Sequence, residues 1–171
     1  DEWGVMSQQR AGAAIASGFL AKQIAPIEVP EGRKNTRLME HDEFPRPDVS
    51  REKLGTLRPV FRKDGKVPPG NASGVTDGAA FVVVGDRSAV EAKGAEPLAR
   101  LVDWTIVGVP PRIMGCGPVP AIQALWEKRG LKASDVDYYE INEAFAVVNL
   151  HAEKELGVGR DVTNIYGGGI S

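Results

Sequence analysis

The chain has 171 residues, enough for one full domain or two small ones, and its 42% apolar and 26% charged residues are ordinary for a globular protein. A net charge of −2 gives no electrostatic reason to expect nucleic acid or an anionic membrane as partner; no apolar run approaches the roughly 18 residues of a spanning helix, and no basic-then-apolar leader opens the sequence. The single cysteine, Cys116, excludes an internal disulfide and suits a reducing compartment, and no Cys/His spacing calls for a metal.

Asp1 to about Lys22 reads as a helix, with Ala11, Ile15 and Phe19 recurring every four residues and many Ala and Gly residues for close packing. Ile24 to Val29 reads as a short strand ended by Pro30. From Glu31 to Lys53 six basic residues balance six acidic ones, and Pro45 and Pro47 break any periodicity. The expectation is a surface excursion too long to be a simple connector. In the following stretch Arg58, Arg62, Lys63 and Lys66 face only Asp64 around Phe61. Two readings stay open there: a footprint for a phosphate-bearing ligand, or a solvated basic hairpin tip at Asp64-Gly65.

Gly70, Ser73, Gly74 and Gly78 make a small-residue loop in which backbone can approach a ligand closely, or simply turn. It runs into Ala80 to Val84, all apolar, as expected of a strand buried on both faces. A short helix from Asp86 to Lys93 closes at Gly94. Leu98 to Val109 reads as a long strand, and a second glycine turn from Arg112 opens a helix with Pro118 and Pro120 in its first turn and Gly130 at its C-cap. Asp135 to Ile141 and Val162 to Tyr166 read as strands. Strands and helices alternating over 80–166 argue a layered α/β architecture.

Between those last two strands lies Tyr138-Tyr-Glu-Ile-Asn-Glu-Ala-Phe-Ala-Val-Val-Asn-Leu150. A strand feeds almost directly into a helix, with Asn142 at or beside the N-cap and the helical turns from Ala144 to Leu150 apolar nearly all round, which predicts burial on every side. The pair Asn142–Glu143 either caps the helix and complements its dipole or stands at a ligand site, since strand ends and helix N-termini are where α/β proteins bind ligands.

Four motifs occur in one order: Gly70-Asn-Ala-Ser-Gly-Val-Thr-Asp-Gly-Ala-Ala80, Met114-Gly-Cys-Gly-Pro-Val-Pro-Ala121, Asn142-Glu-Ala-Phe-Ala146 and Asn164-Ile-Tyr-Gly-Gly-Gly-Ile-Ser171. Together they closely resemble the thiolase family, the acetyl-CoA acetyltransferases and 3-ketoacyl-CoA thiolases. The resemblance extends loosely to Asp1 but covers only the middle and later part of a thiolase. It implies a partial thiolase fold of α/β/α/β/α layers, with residues 1–75 in the loop domain that covers coenzyme A. Residues 76–96 would then end the N-terminal half, and 97–171 would begin the C-terminal one. The implied chemistry is Claisen condensation and thiolysis through a cysteine acyl-enzyme, with coenzyme A and acyl-CoA as substrates and no permanently bound cofactor.

On this resemblance Asn142 corresponds to the asparagine whose bound water stabilises the thioester oxyanion. Ala144 and Phe145 correspond to residues lining the acyl pocket, and Met114 to the methionine beside the reacting thioester. Ser73 corresponds to the serine that bonds the pantetheine arm, with Pro69 and Val75 nearby, and Phe61 and Arg46 fall where the family contacts the adenine end. The family's acyl-accepting cysteine, its Gly-His-Pro histidine and its second cysteine have no counterpart here. Cys116, His41 and His151 match none of them. The segment is therefore expected to be a fragment, inactive alone, of a homo-oligomeric and cytoplasmic enzyme, with mitochondrial or peroxisomal placement left open. The rival expectation is a non-catalytic thiolase-like subunit that binds coenzyme A or serves as a scaffold; a ketoacyl-synthase relative fits less well, because such enzymes commonly carry a histidine where Asn142 stands.

Overall fold

A computed structural model describes residues 1–171. Helix α1 (Glu2–Ala16) opens the chain and is followed by a hairpin of β1 (Ile27–Glu31) and β2 (Asn35–Met39). Four further helices follow: α2 (Arg51–Gly55), α3 (Arg87–Ala92), α4 (Pro118–Arg129) and α5 (Ala146–Leu156). A 3-10 segment, Pro111–Cys116, leads into α4.

The main core lies between α4, α5 and the extended segments on either side of α5. Val119, Tyr139, Ile141, Val148, Ala152, Leu156 and Val158 are its buried members, with Ile122 and Trp126 packed against them. The two extended segments meet in a single parallel bridge, Tyr139 with Thr163. There the Tyr139 N–H donates to Val162 O and the Asn164 N–H to Tyr139 O, both at 2.9 Å. A second, smaller cluster of Trp3, Ala146 and Ile170 fastens α1 to the start of α5. Helix ends follow local chemistry: Pro118 occupies the first turn of α4, and Gly130 and Gly157 close α4 and α5 in the left-handed conformation at φ 64° and 67°.

Several sequence expectations need correction. The buried stripe of α1 is Trp3, Gly4, Ser7, Gln8, Ala11 and Ala14, whereas Ile15 is exposed; two polar residues displace the apolar repeat because their side chains have buried partners. The strand expected at 24–29 starts later and runs through Pro30, which a two-stranded hairpin tolerates on its edges. Its partner strand lies inside the charged stretch that was expected to be irregular. The segments 80–84 and 98–109 form no ladder, and Phe81, Val83, Leu98 and Ile106 are almost fully exposed. Apolar runs of this kind are stable as strands only when neighbours pair with both edges and cover both faces, and these 171 residues supply no such neighbours. For the same reason 135–141 and 162–166 reach only one bridge.

Helix α5 also departs from expectation. It starts at Ala146 with Phe145 as N-cap, so Asn142 stands four residues before the helix and does not cap it. Nor is the helix buried all round, since Val147 and Leu150 face outward. Its buried side carries Asn149, fully enclosed, with neither amide atom bonded to another group of the chain. A buried polar group without a protein partner costs about 1–3 kcal/mol. Asn149→Leu, the apolar side chain nearest in shape, is therefore expected to raise stability by about 1 kcal/mol, read as a higher urea midpoint at unchanged slope.

Candidate functional site

The site is built around the link Ile141–Phe145, which joins the bridge at Tyr139 to α5. Glu143 is fully buried at its centre. Trp3 Nε1 donates to its Oε1 at 2.8 Å and Ser7 Oγ to its Oε2 at 2.6 Å. Asn164 Nδ2 donates to Oε1 and the Ile170 N–H to Oε2, both at 3.1 Å. Four donors, two from α1 and two from the 164–170 turn, thus converge on one carboxylate. Hydrogen bonds to a charged group contribute about 1.5–3 kcal/mol each, more than neutral ones.

Asn164 adds a second tie. Its Nδ2 also donates to Ile141 O at 2.7 Å, and its Oδ1 accepts from the Ile141 N–H at 2.8 Å. To do this it adopts φ 49°, the left-handed region that asparagine tolerates better than other side-chain-bearing residues. Gln8 Nε2 donates to Ile170 O at 2.7 Å, and Arg10 reaches the carbonyls of Thr163, Asn164 and Arg160. Arg160 forms a two-pronged ion pair with Glu153 at 2.9 Å and lies over the Trp3 ring; that partnership holds its guanidinium above its usual range. Helix α1 is thereby bound polar group by polar group to the turn at 163–170.

The expected site residues divide into those the fold gathers and those it does not. The Ser73 N–H donates to Ala144 O at 3.1 Å, and Ala72 pairs with Phe145 in an antiparallel bridge, so the small-residue loop docks on the Asn-Glu-Ala-Phe link. Phe61 meets Phe145 edge to face, with ring centroids 5.7 Å apart. Arg46 stacks its guanidinium 5.9 Å from the Phe44 ring. That ring fills the space beside Gly74, where a Cβ would come within 2.5 Å of it. Arg46 is therefore tied to the same loop as Ser73, on its Phe44 side. Asn142 is exposed, and its Oδ1 stands 3.4 Å from where a Cβ on Gly169 would be.

Met114 rides on the 3-10 segment that packs on α5, where Gly115 faces Val148, and its own side chain is exposed. Pro69 is exposed at the start of a 3-10 turn that leans on α1. Val75 is fully exposed and the fold holds it against nothing. Ser73 and Phe61 keep exposed surface beside the half-buried Ala144 and Phe145, and Arg46 is exposed next to Phe44. A hollow of about 640 Å³ lies elsewhere, between Lys132–Tyr139 and Gly157–Val162, and none of the expected site residues lines it.

Sequence reasoning underrated Glu143, Asn164, Trp3 and Ser7. A carboxylate between Asn142 and the apolar Ala144-Phe145, and an asparagine just ahead of three glycines, were the available signals. The glycines themselves fit this reading. A Cβ on Gly168 would lie 2.5 Å from the Glu143 carboxyl carbon, and one on Gly167 would crowd Ser171, Ala11 and Ser7.

Glu140, beside this network, has its carboxyl held above the usual range, first by partial desolvation and second by the Glu143 charge, with Arg10 opposing.

Family models described as thiolase, N-terminal domain, and thiolase, C-terminal domain, match residues 1–88 and 95–171. The mitochondrial 3-ketoacyl-CoA thiolase of Bos taurus is 44% identical over 171 residues, all of this chain and 43% of that protein. The crystal structure of the Bacillus anthracis acetyl-CoA acetyltransferase superposes with a TM-score of 0.95 at 45% identity, over 99% of this chain and 43% of its own. Human mitochondrial 3-ketoacyl-CoA thiolase in complex with CoA superposes at 0.86 and 43% identity, over 99% and 42%. The chain thus spans less than half the length of these relatives.

Two outcomes test the geometry. Gly168→Ala forces a carbon against a carboxylate that four bonds hold in place, so it is expected to cost about 1–3 kcal/mol in denaturant unfolding, and Gly169→Ala less. A carboxyl whose value is raised by folding carries no penalty below the ordinary glutamate value of about 4.3 and a growing one as pH rises through the folded value. Glu140→Gln is accordingly expected to leave stability unchanged near pH 3 and to raise it slightly at pH 7.

Proposed function

The chain belongs to the thiolase family and carries part of its fold, and from that premise we propose that the whole protein is an acyl-CoA acyltransferase of the thiolase type. The observation that carries this reading is the docking of the Ser73 loop on the Asn-Glu-Ala-Phe link. One hydrogen bond and one bridge dock the loop of Ser73 on Ala144 and Phe145, two and three residues after Asn142 in the chain, with Phe61 against the Phe145 ring. A pantetheine arm is a narrow chain of amides ending in a thiol; Ser73 offers it a hydroxyl partner and Phe145 an apolar wall, while Phe61, assigned by resemblance to the adenine end, stands edge to face with Phe145. Arg58, Arg62, Lys63 and Lys66, opposed only by Asp64, supply a local positive charge around Phe61 that suits the phosphates of coenzyme A.

In the thiolytic direction a cysteine thiolate adds to the C3 carbonyl of a 3-ketoacyl-CoA, the C2–C3 bond breaks, and the C2 carbanion takes a proton to leave acetyl-CoA. The acyl group, now a thioester on the cysteine, passes to the thiolate of a second coenzyme A. On this proposal the cysteines and the histidine act from parts of the protein outside these residues. Residues 1–75 belong to the loop domain over coenzyme A, 76–96 end the first half and 97–171 begin the second. Asn142 orders the water that donates to the thioester oxyanion, a contribution of about 3–4 kcal/mol where such donors are removed. Met114, Ala144 and Phe145 bound the acyl end, and Ser73, Pro69, Val75, Phe61 and Arg46 the coenzyme.

The full-length protein is expected to cleave acetoacetyl-CoA in the presence of coenzyme A. Asn142→Ala is expected to lower kcat by about 10²- to 10³-fold with KM for coenzyme A little changed, and Ser73→Ala to raise that KM instead. Binding of coenzyme A without any turnover by the wild-type protein would replace this reading with that of a non-catalytic binding subunit.

A further inference from the structure

The proposed chemistry gives Asn142 a role that demands placement, yet Asn142 is exposed, and its Oδ1 stands 3.4 Å from where a Cβ on Gly169 would be. Its neighbours are fixed instead. Ile141 has both backbone groups held by the Asn164 amide. Ala144 has its carbonyl held by the Ser73 N–H. Glu143, between Asn142 and Ala144, has both carboxylate oxygens occupied by Trp3, Ser7, Asn164 and Ile170.

We infer that Glu143 is the positioning residue of this site, a buried clamp that draws α1 and the 164–170 turn together and so sets where the Asn142 amide stands against Gly169. Three features support the assignment. A carboxylate with no direct part in the proposed chemistry is completely buried, a placement that is costly unless its partners are fixed. Its donors are distant in sequence, from Trp3 to Ile170, so no local motif requires them to meet. Gly168 leaves room for that carboxyl group and for nothing larger than a hydrogen on its own α-carbon. The amide of Asn164 serves both ends, donating to Glu143 and to Ile141 O, so displacement of the carboxylate loosens both residues that flank Asn142.

The catalytic consequence rests on the thiolase reading; the clamp itself does not. The test uses the full-length protein and two readouts: hydrogen exchange of backbone amides, and steady-state thiolysis of acetoacetyl-CoA. Glu143→Gln keeps the size but turns an NH₂ toward groups that all donate. It is expected to speed exchange at 164–171 by about tenfold or more while α4 keeps its protection, and to lower kcat with KM for coenzyme A within about twofold. Trp3→Phe and Ser7→Ala each remove one donor and serve if Glu143→Gln does not fold; each is expected to give the same pattern in smaller measure. Unchanged exchange at 164–171, or an equal rise throughout the chain as in simple destabilisation, would overturn the clamp. Local loosening with full kcat would overturn its positioning of Asn142. Absence of thiolysis in the wild type would instead refute the functional reading, and the exchange pattern would still decide whether Glu143 holds the turn.

Discussion

A single buried carboxylate organises the part of the molecule where function is expected. Glu143 cannot be left without partners in an apolar interior, because an ionisable group there must find donors or change its charge state. Its four donors come from α1, from Asn164 and from the backbone of Ile170. Satisfying them fixes the packing of three chain segments that hydrophobic contact alone would hold loosely, since only Trp3, Ala146 and Ile170 make up the apolar cluster there. Packing in this region follows the hydrogen bonds, and the small residues of α1 and of the glycine turn follow the packing.

The same constraint explains which parts of the fold were legible in sequence. Helices α3 and α4 were, because Asp86, Pro118 and Gly130 are local signals whose effect does not depend on distant residues. The strands were legible only in part, Ile27 to Val29 lying in the strand expected there, because a β-segment is completed by neighbours. The apolar runs at 80–84 and 98–109 have the composition of buried strands and nothing here to pair with. Helix α1 was recognised as a helix, but of its expected stripe Ala11 is buried and Ile15 is not. Periodicity counts apolar residues, and this helix buries Ser7 and Gln8 to serve Glu143 and Ile170.

The site was legible as four motifs, and three of them now have a physical link to one another. The loop carrying Ser73 docks on Ala144 and Phe145, and the glycines at 167–169 close over Glu143 and Asn142. The Met114 motif is joined to them by Gly115 against Val148 and by Val119 in the core with Ile141 and Val148. Glu143 and Asn164 were hidden because a glutamate beside a helix and an asparagine beside glycines are each explained well enough by dipole and turn preferences. Their importance lies in partners distant in sequence, 140 and 136 residues away for Trp3 and Ser7 and more than 20 for the bonds between the link and the turn, which no local pattern encodes. Val75 is the one expected site residue that the fold leaves without a contact, consistent with its place at the start of the unpaired 75–84 stretch.

A structure of the full-length protein with coenzyme A bound would test the account most directly. The account predicts the pantetheine arm along Ser73 with its thiol end toward Phe145 and Asn142, and Phe61 alongside. A coenzyme seated in the hollow between Lys132–Tyr139 and Gly157–Val162, with the Ser73 face empty, would contradict it.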